Sequence, residues 1–477
     1  MAMETVIGLE IHVELKTKTK IFCGCSTEFG AKANTNTCPV CTGLPGALPV
    51  LNSEAVNLAI KAGKALNCQI NNTNKFDRKN YFYPDSPKAY QISQFDLPIC
   101  EHGYIDINVD DKNKRIRILR IHMEEDAGKL IHVEGKPITL IDYNRTGVPL
   151  IEIVTEPDMR TPKEAIEFLT GLKSILEYAE ISDCKMEQGS LRCDANISMR
   201  PVGQEKLNTK VEIKNLNSFK EILKALEKEE KRQKELYDFK EDFKIRQETR
   251  RWDSGKGRTV SMRSKEDAHD YRYFPEPDLP AVVIDENTVD SIQSMIPEMP
   301  AEKRKRFTRQ YNLNEKDIEV LTSKRMIAEY FEEVASYDVS PKEASNWIIG
   351  EMMRILKESE NIDIPGKYLA DLIKMIETGK ISRSAAKDVF DALWLTEKTP
   401  EEIVEEKQLT QISGTSELEK VIFEIIEKNS DAVNAFINGK EQSKSFLMGQ
   451  IMKATKGQAN PKLAMELLEK KLSRMLS

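Results

Sequence analysis

Strict two-residue alternation dominates the first part of the chain. Leu9, Ile11, Val13 and Leu15 fall on one side of an extended segment, and Glu10, His12, Glu14 and Lys16 fall on the other. Leu191, Cys193, Ala195, Ile197 and Met199 oppose Arg192, Asp194, Asn196, Ser198 and Arg200 in the same way, and Val211 and Ile213 oppose Lys210, Glu212 and Lys214. Strands with one polar face belong to a sheet that is open to solvent or substrate on that side. Two helices interrupt the strands. Thr161-Pro162 with Glu164 opens one that runs to Tyr178, and Ser218 with Glu221 reads as a capping box for a highly charged helix reaching about Tyr237.

Beyond about Ile296 the alternation gives way to helical periodicity, with starts at Ser340-Pro341, Ile364-Pro365, Thr399-Pro400 and Asn460-Pro461. The charged stretch Lys398–Glu406 contains Pro400 and marks a boundary near 405. The pattern predicts an α+β chain in three parts. Residues 1–295 form a mixed, largely antiparallel-sheet cradle domain, 296–405 a helical domain, and 406–477 a small helical tail domain.

Composition narrows the class. A hydrophobic content of 40% and a charged content of 31% are those of a globular protein with a substantial core. No apolar run approaches the length of a membrane span, and Met1–Gly8 lacks a basic segment followed by an apolar one, so neither a span nor a secretory signal is expected. Cys68, Cys100, Cys184 and Cys193 have no spaced partners, which fits a reducing, cytoplasmic setting. The net charge of −7 argues against a protein that coats nucleic acid over its whole surface. Residues 440–477, however, carry eight Lys or Arg against three Glu, which suggests an arm for a polyanion; a solvated helix surface is the bland alternative.

Four cysteines carry the strongest local signal. Cys23-x-Cys25 and Cys38-Pro-x-Cys41 are separated by twelve residues, Ser26–Thr37, rich in Asn, Thr, Ala and Gly. Such pairs set four thiolates at the corners of a tetrahedron, the geometry zinc prefers, and a loop so poor in apolar residues gains from a metal staple. Two disulfides, or four cysteines with no shared role, are the alternatives, although Cys23 and Cys25 are too close for a relaxed bond to each other. The zinc knuckle would be closed, structural and non-catalytic.

The polar strand faces are rich in carboxylates. Glu10 and His12 project from the same side of one strand, and Asp194 lies mid-strand between Arg192 and Asn196. Alternation from Met123 through Ile121 and Leu119 puts Glu125 on an inward face, and Glu152 sits within the apolar run 150–154. A carboxylate facing a core needs a cation or several donors. Carboxylates and one imidazole on a sheet face suit Mg²⁺ or Mn²⁺, and hence phosphoryl transfer; separate salt bridges would explain each acid equally simply. No G-x-x-x-x-G-K-[ST] loop and no protein-kinase signature is present. Lys75, Arg78, Lys79 and Lys88, interleaved with Phe76, Tyr81, Phe82, Tyr83 and Tyr90, offer cations for phosphates and aromatic faces for bases.

Several stretches together resemble one known family. These are Val6–Leu15 (VIGLEIHVEL), Lys75–Asp85 (KFDRKNYFYPD), His122–Lys129 (HMEEDAGK), Arg192–Ser198 (RCDANIS), Tyr271–Asp278 (YRYFPEPD) and Gly449–Pro461 (GQIMKATKGQANP). The chain is similar over its whole length to the B subunits of aspartyl/glutamyl-tRNA amidotransferases. The resemblance implies an ATP- and Mg²⁺-dependent ligase that phosphorylates the side-chain carboxylate of Glu-tRNA(Gln) or Asp-tRNA(Asn). Ammonia from a glutaminase A subunit then displaces the phosphate, and a small C subunit completes the heterotrimer. The absence of an evident glutaminase cysteine or Ser-Lys amidase segment agrees with an outside ammonia source.

By position, the resemblance implies that Glu10, His12, Glu125 and Asp194, with Glu152, hold Mg²⁺. It implies that Cys23, Cys25, Cys38 and Cys41 hold structural Zn²⁺, and that Lys79, Tyr81, Tyr83 and Lys88 line the pocket for ATP or the aminoacyl end. Lys210, Glu212, Lys214 and Asn215 are expected near the same cradle, with a salt-bridge ladder as an equally good account. The tail lysines Lys453, Lys456, Lys462, Lys470 and Lys471, with Arg474, are expected to contact misacylated tRNA through phosphate and sugar. Two other classes share some of these features: a metal-dependent RNA nuclease or phosphohydrolase, and a non-catalytic tRNA-binding scaffold.

Overall fold

The computed structural model describes residues 2–264, 270–357, 361–411, 415–437, 440–455 and 458–476. The chain divides into two compact units, Met1–Pro300 and Ala301–Ser477.

The first unit is built on one large sheet. Among the described residues it has twelve strands: β1 (Met3–Glu14), β2 (Gln69–Ile70), β3 (Asp77–Asn80), β4 (Tyr90–Ser93), β5 (Cys100–Val109), β6 (Lys112–Glu125), β7 (Pro149–Thr155), β8 (Leu191–Pro201), β9 (Val211–Lys214), β10 (Glu248–Asp253), β11 (Arg258–Ser264) and β12 (Phe274–Pro275). The spatial order is β11-β10-β9-β8-β1-β7-β6-β4-β3-β12, with β5 paired to β2 and β6. Every pair is antiparallel except β9–β10, so the sheet is mixed and largely antiparallel.

The alternation in β1 and β8 does what a pleat requires. Leu9, Ile11 and Val13, and Leu191, Cys193, Ala195 and Ile197, are buried in one continuous core. Three helices cover that apolar side: α1 (Ser53–Ala65), α2 (Pro162–Tyr178) and α3 (Phe219–Asp238). The α2 face is Phe168, Leu169, Leu172 and Leu176, all fully buried. Each such side chain contributes ~1.5–3 kcal/mol relative to exposure.

The caps follow the sequence with one shift. Thr161 accepts from the Glu164 amide at 3.2 Å, and Ser218 from the Glu221 amide at 3.2 Å. The Glu221 carboxylate, however, returns to the amide of Asn217 at 3.1 Å, one residue before Ser218, so the reciprocal half of the predicted box is displaced. A second local correction concerns β6. A bulge opposite Val154–Thr155 makes Leu119 an extra residue, so Leu119 is 36% exposed while Ile118 and Ile121 are buried.

The second unit is helical. Its N-caps include Ser340 before Pro341, and Thr399, which makes a complete capping box with Glu402. Its apolar residues gather in two separate cores. One runs from Phe307 to Val404, and the other from Leu418 to Leu472. No described helix of either unit is long and apolar enough to cross a membrane.

Candidate active site

The open face of the first unit carries the acid and imidazole groups. β1 pairs with β7 so that His12 lies opposite Glu152, and β7 pairs with β6 so that Glu152 lies opposite His122. One row across three strands is therefore His12–Glu152–His122, and Glu124 follows His122 on the same face. The ligand atoms of His12, Glu124 and Glu152 all lie within 4.8 Å of one another. His12 Nε2 is 3.5 Å from Glu124 and 3.6 Å from Glu152, and His122 Nε2 is 3.0 Å from Glu152 and 3.7 Å from Glu124. Ser93 of β4 donates to Glu124 at 3.3 Å.

Charge in this group is tightly coupled. Burial disfavours the protonated imidazole of His122, but Glu124 and Glu152 overcome it and lift its pKa to about 9. Burial likewise opposes ionisation of Glu152, yet the two imidazoles and Lys79 hold it below the ordinary carboxylate range. Paired carboxylates with one imidazole nitrogen are an oxygen-rich donor set that fits Mg²⁺ or Mn²⁺.

The residues expected to hold that cation do not all meet. His12 and Glu152 belong to the three-residue group. Glu10 and Asp194 are directly opposite one another across β1 and β8 on the same face, outside that group. Glu10 accepts from Asn196 at 2.8 Å, and Asp194 pairs with Lys214 at 2.6 Å.

Glu125 is on the other side of the sheet. It shares parity with Ile121 and Met123, accepts from the Ile92 amide at 2.8 Å and pairs with Lys88, whose side chain is 9% exposed. It borders a cavity of about 120 Å³ shared with Cys23, Cys41 and Tyr90. Successive side chains of a strand point to opposite faces, so Glu125 cannot join His12 while Ile121 and Met123 fill the core. Glu124 takes that place. Residues 122 and 124 have the i,i+2 spacing of Glu10 and His12, and that signal was present in the sequence.

The expected nucleotide pocket also separates. Lys79 is on the cradle face, with its ammonium 4.9 Å over the Tyr271 ring. Tyr81 meets the same ring edge-on at 6.3 Å. Tyr83 is 58% exposed, and Lys88 is committed to Glu125 on the far face. Tyr271 and Tyr273 were missed as site residues. The segment carrying them is pinned to β3: Asn80 donates to the Arg272 carbonyl at 2.8 Å, Phe274 pairs with Arg78, and Arg78 grips buried Glu276 through two bonds of 2.7 and 2.8 Å. Tyr273 stacks on Phe95, with centroids 4.2 Å apart.

At the other end of the row, Lys214 also reaches Glu212 at 3.3 Å, and Glu212 accepts from Thr249 at 2.7 Å. Asn215 adopts positive φ and donates to the Trp252 carbonyl at 3.3 Å. Lys210 is exposed beside a cavity that also contacts Glu10.

The four cysteine sulfurs of 23, 25, 38 and 41 gather within 4.8 Å of one another. None of the cysteines is in a disulfide. A hydrogen bond from Cys23 outweighs burial and draws the Cys41 thiol down to about 4, with the Lys20 ammonium 3.6 Å away. Four convergent sulfurs outside any disulfide fit zinc. The loop between the pairs is also held by amides. Asn144 accepts from the Asn36 amide at 2.8 Å, and Asn34 donates to the Ile141 carbonyl at 3.0 Å. A metal is therefore not its sole staple.

In the tail, Lys453 and Lys462 are exposed on the helices Gln442–Ala454 and Pro461–Leu476, as is Lys470. Lys471 lies 5.2 Å over the Phe423 ring, and Arg474 is exposed on the last turn. Lys456 is outside the described residues.

A cradle of carboxylates and imidazoles on a largely antiparallel sheet, followed by a helical unit, is the class that these features define. Comparison with known families places it more closely. Residues 5–290 match the GatB/GatE catalytic domain, and residues 329–472 match the GatB domain. Over 477 aligned residues the chain is 58% identical to the second aspartyl/glutamyl-tRNA(Asn/Gln) amidotransferase B subunit of Clostridium acetobutylicum, covering 99% of this chain and 100% of that protein. It is 58% identical to the corresponding protein of Clostridium beijerinckii, again covering 99% and 100%, and 55% identical over 478 residues to that of Thermoanaerobacter sp., with the same coverage. The chain belongs to the family of aspartyl/glutamyl-tRNA(Asn/Gln) amidotransferase B subunits.

Proposed function

We propose that this chain is the activating subunit of a tRNA-dependent amidotransferase, a ligase of translation. Its substrate is the side-chain carboxylate of glutamate or aspartate esterified to tRNA(Gln) or tRNA(Asn). The observation that carries the proposal is the convergence of His12, Glu124 and Glu152 on the open sheet face, in a chain 58% identical end to end to proteins of that name.

The reaction explains why such a face is needed. Ammonia cannot displace oxide from a carboxylate at a useful rate. A carboxylate oxygen therefore attacks the γ-phosphorus of ATP, the bond to the β-phosphate oxygen breaks and ADP leaves. Ammonia then attacks the acyl carbon, the bond to the phosphate oxygen breaks, inorganic phosphate leaves and nitrogen loses a proton. His12, Glu124 and Glu152 would hold Mg²⁺, which supplies charge neutralisation on the transferred phosphoryl group.

The chain's own groups do the rest. Lys79 makes no ion pair among the described residues, and its ammonium faces the same side as Glu152. It is placed to meet phosphate oxygens. His122 fixes the Glu152 carboxylate at 3.0 Å, orienting a ligand from behind. Tyr271 and Tyr273 wall the site with Phe95, which restricts water around the acyl phosphate.

The relatives' names support a multi-subunit assembly; the partners proposed here are a glutaminase A subunit and a small C subunit. Lys453, Lys462 and Lys470 of the tail are proposed to meet tRNA phosphates. The test is amidation by the reconstituted complex, on both misacylated tRNAs, with ATP and glutamine. Amidated tRNA with stoichiometric ADP is the expected result. RNA cleavage by this chain alone with Mg²⁺, or full amidation by the Glu124→Gln complex, would refute it.

A further inference from the structure

Arg120 stands on the open face of β6, with the parity of His122 and Glu124. Its cross-strand neighbours are Val154 of β7 and Glu101 of β5. Opposite charges that face each other across an antiparallel pair favour an ion pair. Arg120 and Glu101 do not form one. Glu101 accepts from Asn71 at 3.0 Å instead. Glu152, diagonal to Arg120 across β7, is held by His122 at 3.0 Å. Among the described residues Arg120 has no ion pair and no hydrogen bond, and its Nε is shielded from solvent without a partner.

The side chain is half-buried. With Nε enclosed, what it offers is its outer edge, the two terminal nitrogens, which are not enclosed in that way. Tyr273 shows where that edge lies. Burial, Glu124 and Glu152 push the Tyr273 phenol above its ordinary pKa and Arg120 opposes them, so the hydroxyl stands in the fields of all three side chains. The same ring is stacked on Phe95 and meets Tyr271 edge-on at 6.2 Å. The guanidinium therefore borders the walled site of His12, Glu124 and Glu152 from the side of Tyr273. A charge taken partly out of water without a counterion is unfavourable. A cation kept uncommitted among acids, each held by another partner, is a place for an anion that arrives from outside.

We propose that Arg120 receives the side-chain carboxylate of the amino acid esterified to tRNA. The terminal N–H groups of a guanidinium lie in one plane and match the two oxygens of a carboxylate. The acyl group has particular need of such a partner. It carries a negative charge onto a face already lined by Glu10, Glu124, Glu152 and Asp194, whereas the phosphates of ATP have Lys79. The contact also separates substrate from product. Once ammonia has replaced the phosphate, the side chain is an uncharged amide, and the attraction that drew it to Arg120 is gone. A phosphate of ATP offers the same oxyanion chemistry and is the competing source.

The inference rests on the amidation proposed above, and the test separates the two. In the reconstituted complex, amidation is measured with misacylated tRNA varied at saturating ATP, and with ATP varied at saturating misacylated tRNA. The same tRNA carrying the finished amide serves as a competitive inhibitor. Arg120→Met should lower kcat/KM for the misacylated tRNA about 10–100-fold and leave Ki for the amidated tRNA within about twofold. It breaks no bond among the described residues, so it should melt no lower than wild type. Arg120→Lys, which keeps the charge without the fork, should lose less than Arg120→Met. If Arg120→Met keeps the wild-type kcat/KM for misacylated tRNA, Arg120 does not hold the carboxylate. A loss seen only as a raised KM for ATP overturns the assignment in favour of a phosphate. Equal losses for the misacylated and the amidated tRNA, with or without a lower melting temperature, also overturn it, because the side chain would then serve the RNA or the fold. A wild-type complex that amidates neither misacylated tRNA refutes the proposed function itself, whatever the variants do.

Discussion

The acid cradle and the cysteine knuckle each gather donor atoms that fit a cation, by opposite means. The knuckle draws its four sulfurs from one stretch, Cys23 to Cys41, and its geometry is encoded in two short spacings. The cradle draws His12, Glu124 and Glu152 from three strands, and its geometry exists only when those strands pair in one register. A local site tolerates errors in the surrounding fold. A site made by register does not, because a slip of one residue sends each side chain to the wrong face. Glu124 and Glu125 show the consequence: adjacent in sequence, one completes the cradle and the other pairs with Lys88 on the far side.

The sharpest break of this comparison is to exchange those two neighbours. Glu124→Gln should reduce ATP-dependent amidation by ~10²-fold or more while glutaminase activity of the A subunit stays measurable. Steady-state rates on misacylated tRNA with glutamine check it, and equal losses for Glu124→Gln and Glu125→Gln would erase the distinction between faces.

Next in size is the buried pair itself. Lys88→Met strands Glu125 in the core and should destabilise the first unit by about 3–5 kcal/mol, and adding Glu125→Leu should recover most of it. Denaturant unfolding measures both, and an additive pair of losses would rule out their coupling.

The knuckle should respond more modestly. We propose that the four cysteines hold zinc; chelation, or Cys38→Ser, should then free the loop 26–37 to proteolysis and lower the melting temperature, with the cradle's KM for ATP little changed. The backbone bonds to Asn34 and Asn144 persist, so the loop should loosen without unfolding the sheet. Global unfolding on chelation would make the knuckle as dependent on the fold as the cradle.

A last effect, read only in the pH dependence of stability, concerns Glu14, at the end of the cradle row. Burial first, and then Asp126 beside it, push its carboxyl up to about 8. Because the folded-state pKa is raised above 4.5, its stabilising contribution is complete below pH 4.5 and lost as pH rises through 8. Glu14→Gln should therefore flatten the stability profile over that window and be the more stable protein above pH 8. Parallel melting curves for the two proteins from about pH 5 to 9 measure this.

Particular residues show how far the sequence could be read. The alternation of Leu9, Ile11 and Val13 against Glu10 and His12 identified both the sheet and its open face, because burial of apolar side chains on a pleat imposes period two. Ser340, Thr399 and Thr161 announced helix starts, because a side-chain oxygen beside orphan amides is a local interaction. Glu125 was misplaced because its inward direction was inferred correctly and then joined to groups on the outward face. The same parity rule, applied across strands, would have selected Glu124. Tyr271 and Tyr273 gave no such signal. They reach the cradle through Asn80, Arg78 and Glu276, contacts between segments about 190–200 residues apart.

The chain by itself therefore determined the strands β1, β8 and β9, several helix starts, the cysteine quartet and the acidic character of one face, all products of short spacings. Tertiary structure alone decided which carboxylates meet His12 and which lysine faces them without an ion pair among the described residues. Those depend on strand order and register, to which the packing of α1, α2 and α3 on the apolar side of the sheet contributes, and are not properties of any one segment.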